Sequence, residues 1–305
     1  MIDNVYFRQA ELLLRVLPLV DREAVFALKG GTAINFFFRN LPRVSVDIDL
    51  AYIPIGERDL SLREISNALI RISRNVESRI PKTKIFPKKI KGGELWSGCL
   101  VQRKDATIKI EPNPVIRGSL FPPERRTLSP KARNVFELSV ECRTLVENEL
   151  YAGKICAALD RQHPRDLFDV MMLFRERALN DDMRKAFIVY LISHDRPMVE
   201  ILNPGFADIR PAFETEFRDM ASEEVTCEDL EKIREKLVPM IARELTLQEK
   251  QFIVSVKEGM PRWELIGLEG VRNLPAVQWK LLNIGRMAPA KHRQALRKLR
   301  DYLAV

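Results

Sequence analysis

The hydrophobic and polar positions of this chain change texture about halfway along. Residues 5–20 (VYFRQAELLLRVLPLV) carry the apolar spacing of an amphipathic helix that ends near Pro18. Ala24–Leu28 is a short apolar run stopped by Lys29-Gly30-Gly31, and Thr32–Arg39 resumes with helical character, which predicts strand, glycine turn, helix. Arg43–Tyr52 (RVSVDIDLAY) alternates strictly. Val44, Val46, Ile48 and Leu50 fall on one face of a strand, and Ser45, Asp47 and Asp49 on the other. Leu60–Ser78 reads as a helix, Gly98–Arg103 and Ala106–Glu111 as strands about a Lys-Asp turn, and Val135–Thr144 as a further strand. From Glu147 the pattern is helical, broken at Pro164, Asn203-Pro204-Gly205, Pro261 and Pro275. No internal repeat interrupts it. The expected fold class is α+β: a mixed sheet with flanking helices over residues 1–146, then a helical domain over 147–305.

Composition narrows the class. With 305 residues, 46% hydrophobic and 30% charged, the chain can bury a core, which excludes wholesale disorder. The longest apolar candidate, Leu12–Val20, is interrupted by Arg15 and Pro18, so no membrane span is expected. The N-terminus has no basic region leading into an apolar core, which argues against a signal peptide. Four scattered cysteines without a C-x-x-C pair, and three histidines without ligand spacing, disfavour structural zinc or a disulfide framework. A reduced, cytoplasmic protein is expected. Trp263 and Trp279 lie in apolar helical patterns and are read as core.

The net charge of +8 suits a polyanionic partner without establishing one. Its distribution is uneven: Arg79–Lys104 has eight basic residues against Glu94 alone, and Lys280–Arg300 has seven and no acid. Such clusters hold phosphate backbones, and equally make solvated faces.

The chemistry-bearing residues gather around the alternating segment. D-x-D on a strand sets Asp47 and Asp49 side by side, a costly pairing of like charges unless a cation lies between them. An all-oxygen donor set favours Mg²⁺ bound together with substrate phosphates. Upstream, Lys29-Gly30-Gly31-Thr32 is a turn into a helix start, where backbone amides can approach a phosphate. Thr32 is equally a helix cap. The turn is not a Walker A loop. Downstream, Glu111 ends a strand before Pro112-Asn113-Pro114 and supplies a third carboxylate. Three acids from two strands beside a phosphate turn describe a two-metal phosphoryl- or nucleotidyl-transfer site. Ser45 shares the acids' face, and Arg43 is read at the strand's solvent edge.

The segments KGGTAINFFFR, RVSVDIDL and IKIEPN resemble the nucleotidyltransferase superfamily pattern. More narrowly, the chain resembles the AbiEii/AbiGii toxin family, the toxin half of AbiE-type (type IV) toxin–antitoxin pairs and relative of the MenT toxins. ELYAGKICAAL (Glu149–Leu159), the R-D-L-x-D segment after Pro164, LTLQEKQFIVSVKEGMP and LPAVQWKLLNI extend the likeness to most of the chain from Leu28 to Tyr302. The third acid here is Glu where the family has Asp. The resemblance implies a nucleotidyltransferase-like sheet with a cleft completed by the helical half. It implies transfer of a nucleoside monophosphate from an NTP to an RNA hydroxyl, the tRNA 3′ end. Its implied cofactor is two Mg²⁺ ions on Asp47, Asp49 and Glu111, and its implied nucleotide site is Lys29, Gly30, Gly31, Thr32 and Ser45.

The resemblance also carries Lys154 and Asp166 into the site, Lys154 toward the triphosphate and Asp166 positioning Lys154 or the acceptor. From the residues alone, Lys154 on an apolar helix can equally snorkel to solvent, and Asp169 reads as an internal salt bridge to an arginine. A cognate AbiEi-like antitoxin is an implied partner. Two other classes stay open: a small-molecule nucleotidyltransferase of the antibiotic-modifying kind, and a catalytically silent nucleotide- or antitoxin-binding module.

Overall fold

A computed structural model describes residues 5–305. The chain divides into two compact units, Met1–Leu150 with Arg218–Glu224, and Tyr151–Phe217 with Val225–Val305. The described residues of the first unit form a seven-stranded mixed sheet: β1 (Phe26–Lys29), β2 (Asp47–Tyr52), β3 (Thr83–Lys89), β4 (Trp96–Arg103), β5 (Ala106–Pro112), β6 (Glu124–Thr127) and β7 (Glu141–Thr144). The strand order is β3-β4-β5-β2-β1-β7-β6. β2 runs parallel to β5, and β1 parallel to β7; the other neighbours are antiparallel.

The apolar positions of the central strands make one buried layer. Ile48, Leu50, Ile108, Ile110, Cys99 and Val101 are all buried. Helix α1 (Val5–Val20) packs on β5, and α3 (Arg58–Arg79) on β4. The alternate positions of β2 and β5 therefore face the other way, and those positions hold the acids. α1 runs on through Pro18, past its expected end. Three further helices begin on local signals: α2 (Gly30–Ala33), α4 (Pro130–Phe136) and α5 (Glu147–Asp160). Ser129 caps α4, its hydroxyl accepting from the Ala132 amide at 3.4 Å, with Pro130 at the first turn. This start takes Val135 and Phe136, the first two residues of the expected Val135–Thr144 strand, into helix. Glu137 ends α4 in a left-handed conformation, and only Glu141–Thr144 is strand.

The expected Arg43–Tyr52 strand is also shorter, beginning at Asp47. Residues 41–44 satisfy their backbone on Arg218–Glu224, which returns to this unit from far along the chain, Ser222 lying 180 residues after Pro42. The Val44 amide donates to Met220 O at 2.9 Å, the Ser222 amide to Pro42 O at 2.8 Å, and Arg43 bridges Ala221. A partner so distant in sequence leaves no local trace.

The second unit is helical: α6 (Pro164–Glu176), α7 (Asp181–Ser193), α8 (Met198–Leu202), α9 (Arg210–Glu216), α10 (Cys227–Glu244), α11 (Leu247–Glu258), α12 (Pro275–Gly285) and α13 (Pro289–Leu303). α11 packs against α7, α12 and α13, and α10 against α6 and α8. Trp263 lies against Phe252, ring centroids 5.8 Å apart, whereas Trp279 stands exposed on α12 rather than in the core. No helix among the described residues is long and apolar enough to cross a membrane.

The sheet's edges are β3 and β6, which sequence periodicity did not find. β3 (TKIFPKK) and β6 (ERRT) are exposed and charged, so the buried-face alternation that marks a strand is missing. Lysines and a proline on an edge strand also block pairing with another chain. This gives the lysines of the first basic stretch a structural reason. Replacing Lys84→Thr together with Pro87→Val should raise concentration-dependent aggregation, followed by light scattering during incubation. Unchanged scattering would remove edge protection as their role.

Candidate active site

The register of β2 against β5 builds the acidic face. Asp49 pairs with Glu111 and Asp47 with Lys109, so two carboxylates stand side by side on adjacent strands and a third lies one pleat along β2. On the other side of β2, the antiparallel register with β1 sets Lys29 opposite Asp49. Asp47, Asp49, Glu111 and Lys29 thus come together. Two lysines, Lys29 and Lys109, occupy ladder positions directly across from the β2 acids.

Directly above Asp49 lies the glycine turn. Gly30 has φ +73°, and a Cβ there would lie 2.4 Å from Asp49 Oδ2. A Cβ on Gly31 would lie 2.6 Å from an Arg43 guanidinium nitrogen and 3.2 Å from Ser45 Oγ. Only glycines allow the turn this close. The α2 N-terminus carries no side-chain cap, so its first amides are not claimed by a capping oxygen. Ile34–Phe38 continues α2 as a π-helical turn, a feature frequent at functional sites.

Thr32 and Ser45 sit beneath this turn, both buried. The Thr32 hydroxyl lies 2.6 Å from the Asp47 carbonyl and 3.0 Å from Ser45 Oγ. It fixes the start of β2 to α2, a job sequence reasoning had left between helix cap and phosphate contact. Arg43, expected at a solvent edge, is instead 2% exposed. Its Nη1 donates to the Val44 carbonyl at 2.9 Å, and its guanidinium lies under Gly31. Its position four residues before Asp47, on the alternating segment, was the available signal.

Glu111 has a partner that the sequence did not suggest. Lys88 Nζ donates to its Oε1 at 2.8 Å. Cys99 pairs with Ile110 and Lys88 with Gly98, so Gly98 lies between Lys88 and Glu111 in the row across the sheet. A Cβ on Gly98 would meet the Ile110 carbonyl at 2.8 Å and Glu111 Cγ at 3.6 Å. The missing side chain opens the path that Lys88 crosses. As the side chains stand, no group of three His, Cys, Asp or Glu is placed to hold a metal among the described residues. Asp47 and Asp49 suit a hard divalent cation in donor chemistry and rigidity. Glu111 joins them only by turning away from Lys88, a half-exposed ion pair of the kind worth roughly 0–1 kcal/mol.

Lys154 and Asp166 lie in the second unit. Lys154, on α5, is buried with Nζ 2.8 Å from Asp166 Oδ1 and 3.1 Å from Asp169 Oδ2. Asp169 thus pairs with Lys154. Arg161 adds bonds to Asp166 at 2.5 and 3.1 Å. Two cations meet two carboxylates, which is the condition for burying such charges. His163, just before α6, caps that helix through a bond from the Arg165 amide at 3.1 Å.

A mixed sheet with two acids on one strand, a third on its parallel neighbour and a glycine turn over them defines a nucleotidyltransferase-type unit. Residues 11–264 match the family of the nucleotidyl transferase AbiEii toxin of type IV toxin–antitoxin systems, and the chain belongs to that family. Among solved structures it is similar to the MenT4 nucleotidyltransferase toxin of Mycobacterium tuberculosis H37Rv. The two are 14% identical with TM-score 0.58, over 97% of this chain and 92% of that one, a likeness of fold. Comparison with curated proteins returns no match. The chain is therefore a nucleotidyltransferase toxin by family, a class whose chemistry uses a nucleoside triphosphate and a divalent metal.

Burial alone would raise the Asp166 carboxyl, but the Lys154 ammonium and the Arg161 guanidinium outweigh it and hold the carboxyl well below the usual range. A depressed folded-state pKa gives stability that is fully present above the unfolded value and is lost as pH falls through the folded one. Asp166→Asn should lower unfolding free energy at neutral pH by about 3–5 kcal/mol in urea titrations. The gap from wild type should narrow below about pH 4, where the unfolded carboxyl takes up its proton. A gap that stays constant into strong acid would contradict the assignment.

Proposed function

We propose that this protein transfers a nucleoside monophosphate from an NTP to an RNA hydroxyl, the 3′ end of tRNA, and so halts growth until a cognate antitoxin intervenes. The carrying observation is the in-register pair Asp49–Glu111 with Asp47 one pleat away and Asp49 against the Gly30 turn. The acceptor oxygen attacks the α-phosphorus, the bond from that phosphorus to the β-bridging oxygen breaks, and pyrophosphate departs with the electron pair. The hydroxyl proton passes to solvent.

Two Mg²⁺ ions held by Asp47, Asp49 and Glu111 would supply charge neutralisation for the triphosphate and acidity for the acceptor hydroxyl. The chain's own residues do the positioning. The Gly30 and Gly31 amides cradle phosphate oxygens, and Lys29 contributes a cation at the same turn. Thr32 and Ser45 hold the turn against β2. Within the second unit, Asp166 is the positioning residue that orients Lys154, the lysine that the family resemblance assigns to the triphosphate. Glu111 leaves Lys88 as it joins the acids.

The RNA acceptor is supported by the +8 charge and by the resemblance to the MenT branch. A small cationic acceptor would suit an acidic surface instead. The reading as a silent nucleotide-binding module draws on one observation, the Lys88–Glu111 pair that holds the third acid out of a metal grouping. We place the protein in the cytoplasm, where NTP and tRNA are found.

Incubation with each labelled NTP, Mg²⁺ and total tRNA should label tRNA. Asp49→Ala should reduce the rate by about 100-fold or more. Label on a small acceptor alone, or on nothing, would overturn the RNA reading, and undiminished labelling by Asp49→Ala would overturn the carboxylate assignment.

A further inference from the structure

A second basic feature belongs to the helical unit and shares no residue with the acids or their glycine turn. In the helical unit, a cavity of about 360 Å³ is lined by four lysines: Lys257 from α11, Lys280 from α12, and Lys291 and Lys298 from α13. Lys291 and Lys298 are seven residues apart and share one face of α13. Two carboxylates, Asp195 and Glu200, also line it. Both engage elsewhere: Asp195 accepts from the Arg196 amide at 2.9 Å and lies 3.0 Å from His194 Nδ1, and Glu200 lies 3.5 Å from Arg196. Four cations against two anions leave two positive charges in surplus.

The inner lysines are built into the unit. Lys280 is 9% exposed, and its ammonium donates to the His194 and Arg196 carbonyls, both at 2.6 Å. Lys257 is also 9% exposed, yet among the described residues its ammonium has only the Met287 thioether, at 3.3 Å, as an acceptor. A thioether is a weak acceptor, and a buried ammonium without oxygen partners is costly. Burial lowers the pKa of both lysines, reinforced at Lys257 by Lys291 and at Lys280 by Lys257, with Lys280 brought down to about 8. Met198, Ile284, Met287 and Leu299 give the same cavity an apolar wall.

We propose that this cavity binds a small phosphomonoester carrying a compact apolar body, with the phosphate against Lys257 and the body against the methionine, isoleucine and leucine wall. A phosphomonoester near neutral pH carries a charge of roughly −1.5 to −2 and three strong acceptor oxygens. That charge matches the surplus of two, and the oxygens give Lys257 the partner it lacks. The volume lies at the lower end of small-molecule pockets, roughly 300–1,000 Å³. The inference is independent of the nucleotidyl-transfer reading, since none of these residues belongs to it.

The test is a titration of full-length, methyl-¹³C-methionine protein with phenyl phosphate in the absence of Mg²⁺. The Met198 and Met287 methyl resonances should shift saturably. Lys257→Gln should weaken binding at least tenfold, and Lys298→Ala, a rim substitution that leaves the core intact, several-fold. Asp49→Asn should leave the shifts unchanged, which separates this cavity from any phosphate bound at the candidate active site. Benzoate binding as tightly as phenyl phosphate would overturn the phosphate assignment, and phenol doing so would overturn the anion. No saturable shift, or full affinity in both lysine variants, would overturn the site.

Discussion

Carboxylates at alternate positions of one strand cannot move apart, because the pleat fixes both on the same side about two residues' rise from each other. In β2 that constraint falls on Asp47 and Asp49, and the parallel register with β5 adds Glu111 beside Asp49. The rest of the first unit is arranged around this concentration of negative charge. Ile48 and Leu50 anchor the strand from beneath, Thr32 ties its start to α2, and Gly30 allows the turn to close over Asp49. Countercharge arrives from lysines on both flanks: Lys29 and Lys109 by register, and Lys88 by reaching across Gly98. An exposed lysine is a replaceable partner. In our account the face exchanges it for a cation and a triphosphate.

The second unit treats charge in two other ways. Around Lys154 the charges balance, with Asp166 and Asp169 buried beside it and Arg161 reaching Asp166 from the surface. Such a cluster holds a lysine in one orientation, and removing any member leaves an uncompensated charge. Around Lys257 the charges do not balance, and its only acceptor among the described residues is sulfur. The contrast within one helical unit is informative. Lys154 pairs directly with two carboxylates, whereas among the described residues no carboxylate pairs with Lys257.

What could be read from the sequence followed from local spacing. The D-x-D alternation, the apolar runs beneath it, the glycine turn and the strand-end Glu111 each lie within a few residues of their own signal, and the sheet brings them together. The edge strands were missed because neither has a buried face to write an alternation: β3 is lysine-rich and β6 is Glu-Arg-Arg-Thr. Arg43 was misplaced because its cover, Arg218–Glu224, comes from far along the chain. The Lys88–Glu111 contact depends on a glycine in an intervening strand, and no periodicity shows that. The helix starting at Ser129-Pro130 was legible in principle, since cap and proline stand together, and the apolar run after it drew attention away.

The account's central claim is that the carboxylates of β2 are held together for a divalent cation. Titrating the protein with Mn²⁺ in the presence of a non-hydrolysable NTP, with bound metal counted by electron paramagnetic resonance, addresses it directly. Wild type should bind metal saturably, and Asp47→Asn and Asp49→Asn should each abolish or sharply weaken it, while Lys88→Met, which frees Glu111, should bind as well as wild type or better. Equal metal binding by wild type and both aspartate variants would contradict the claim.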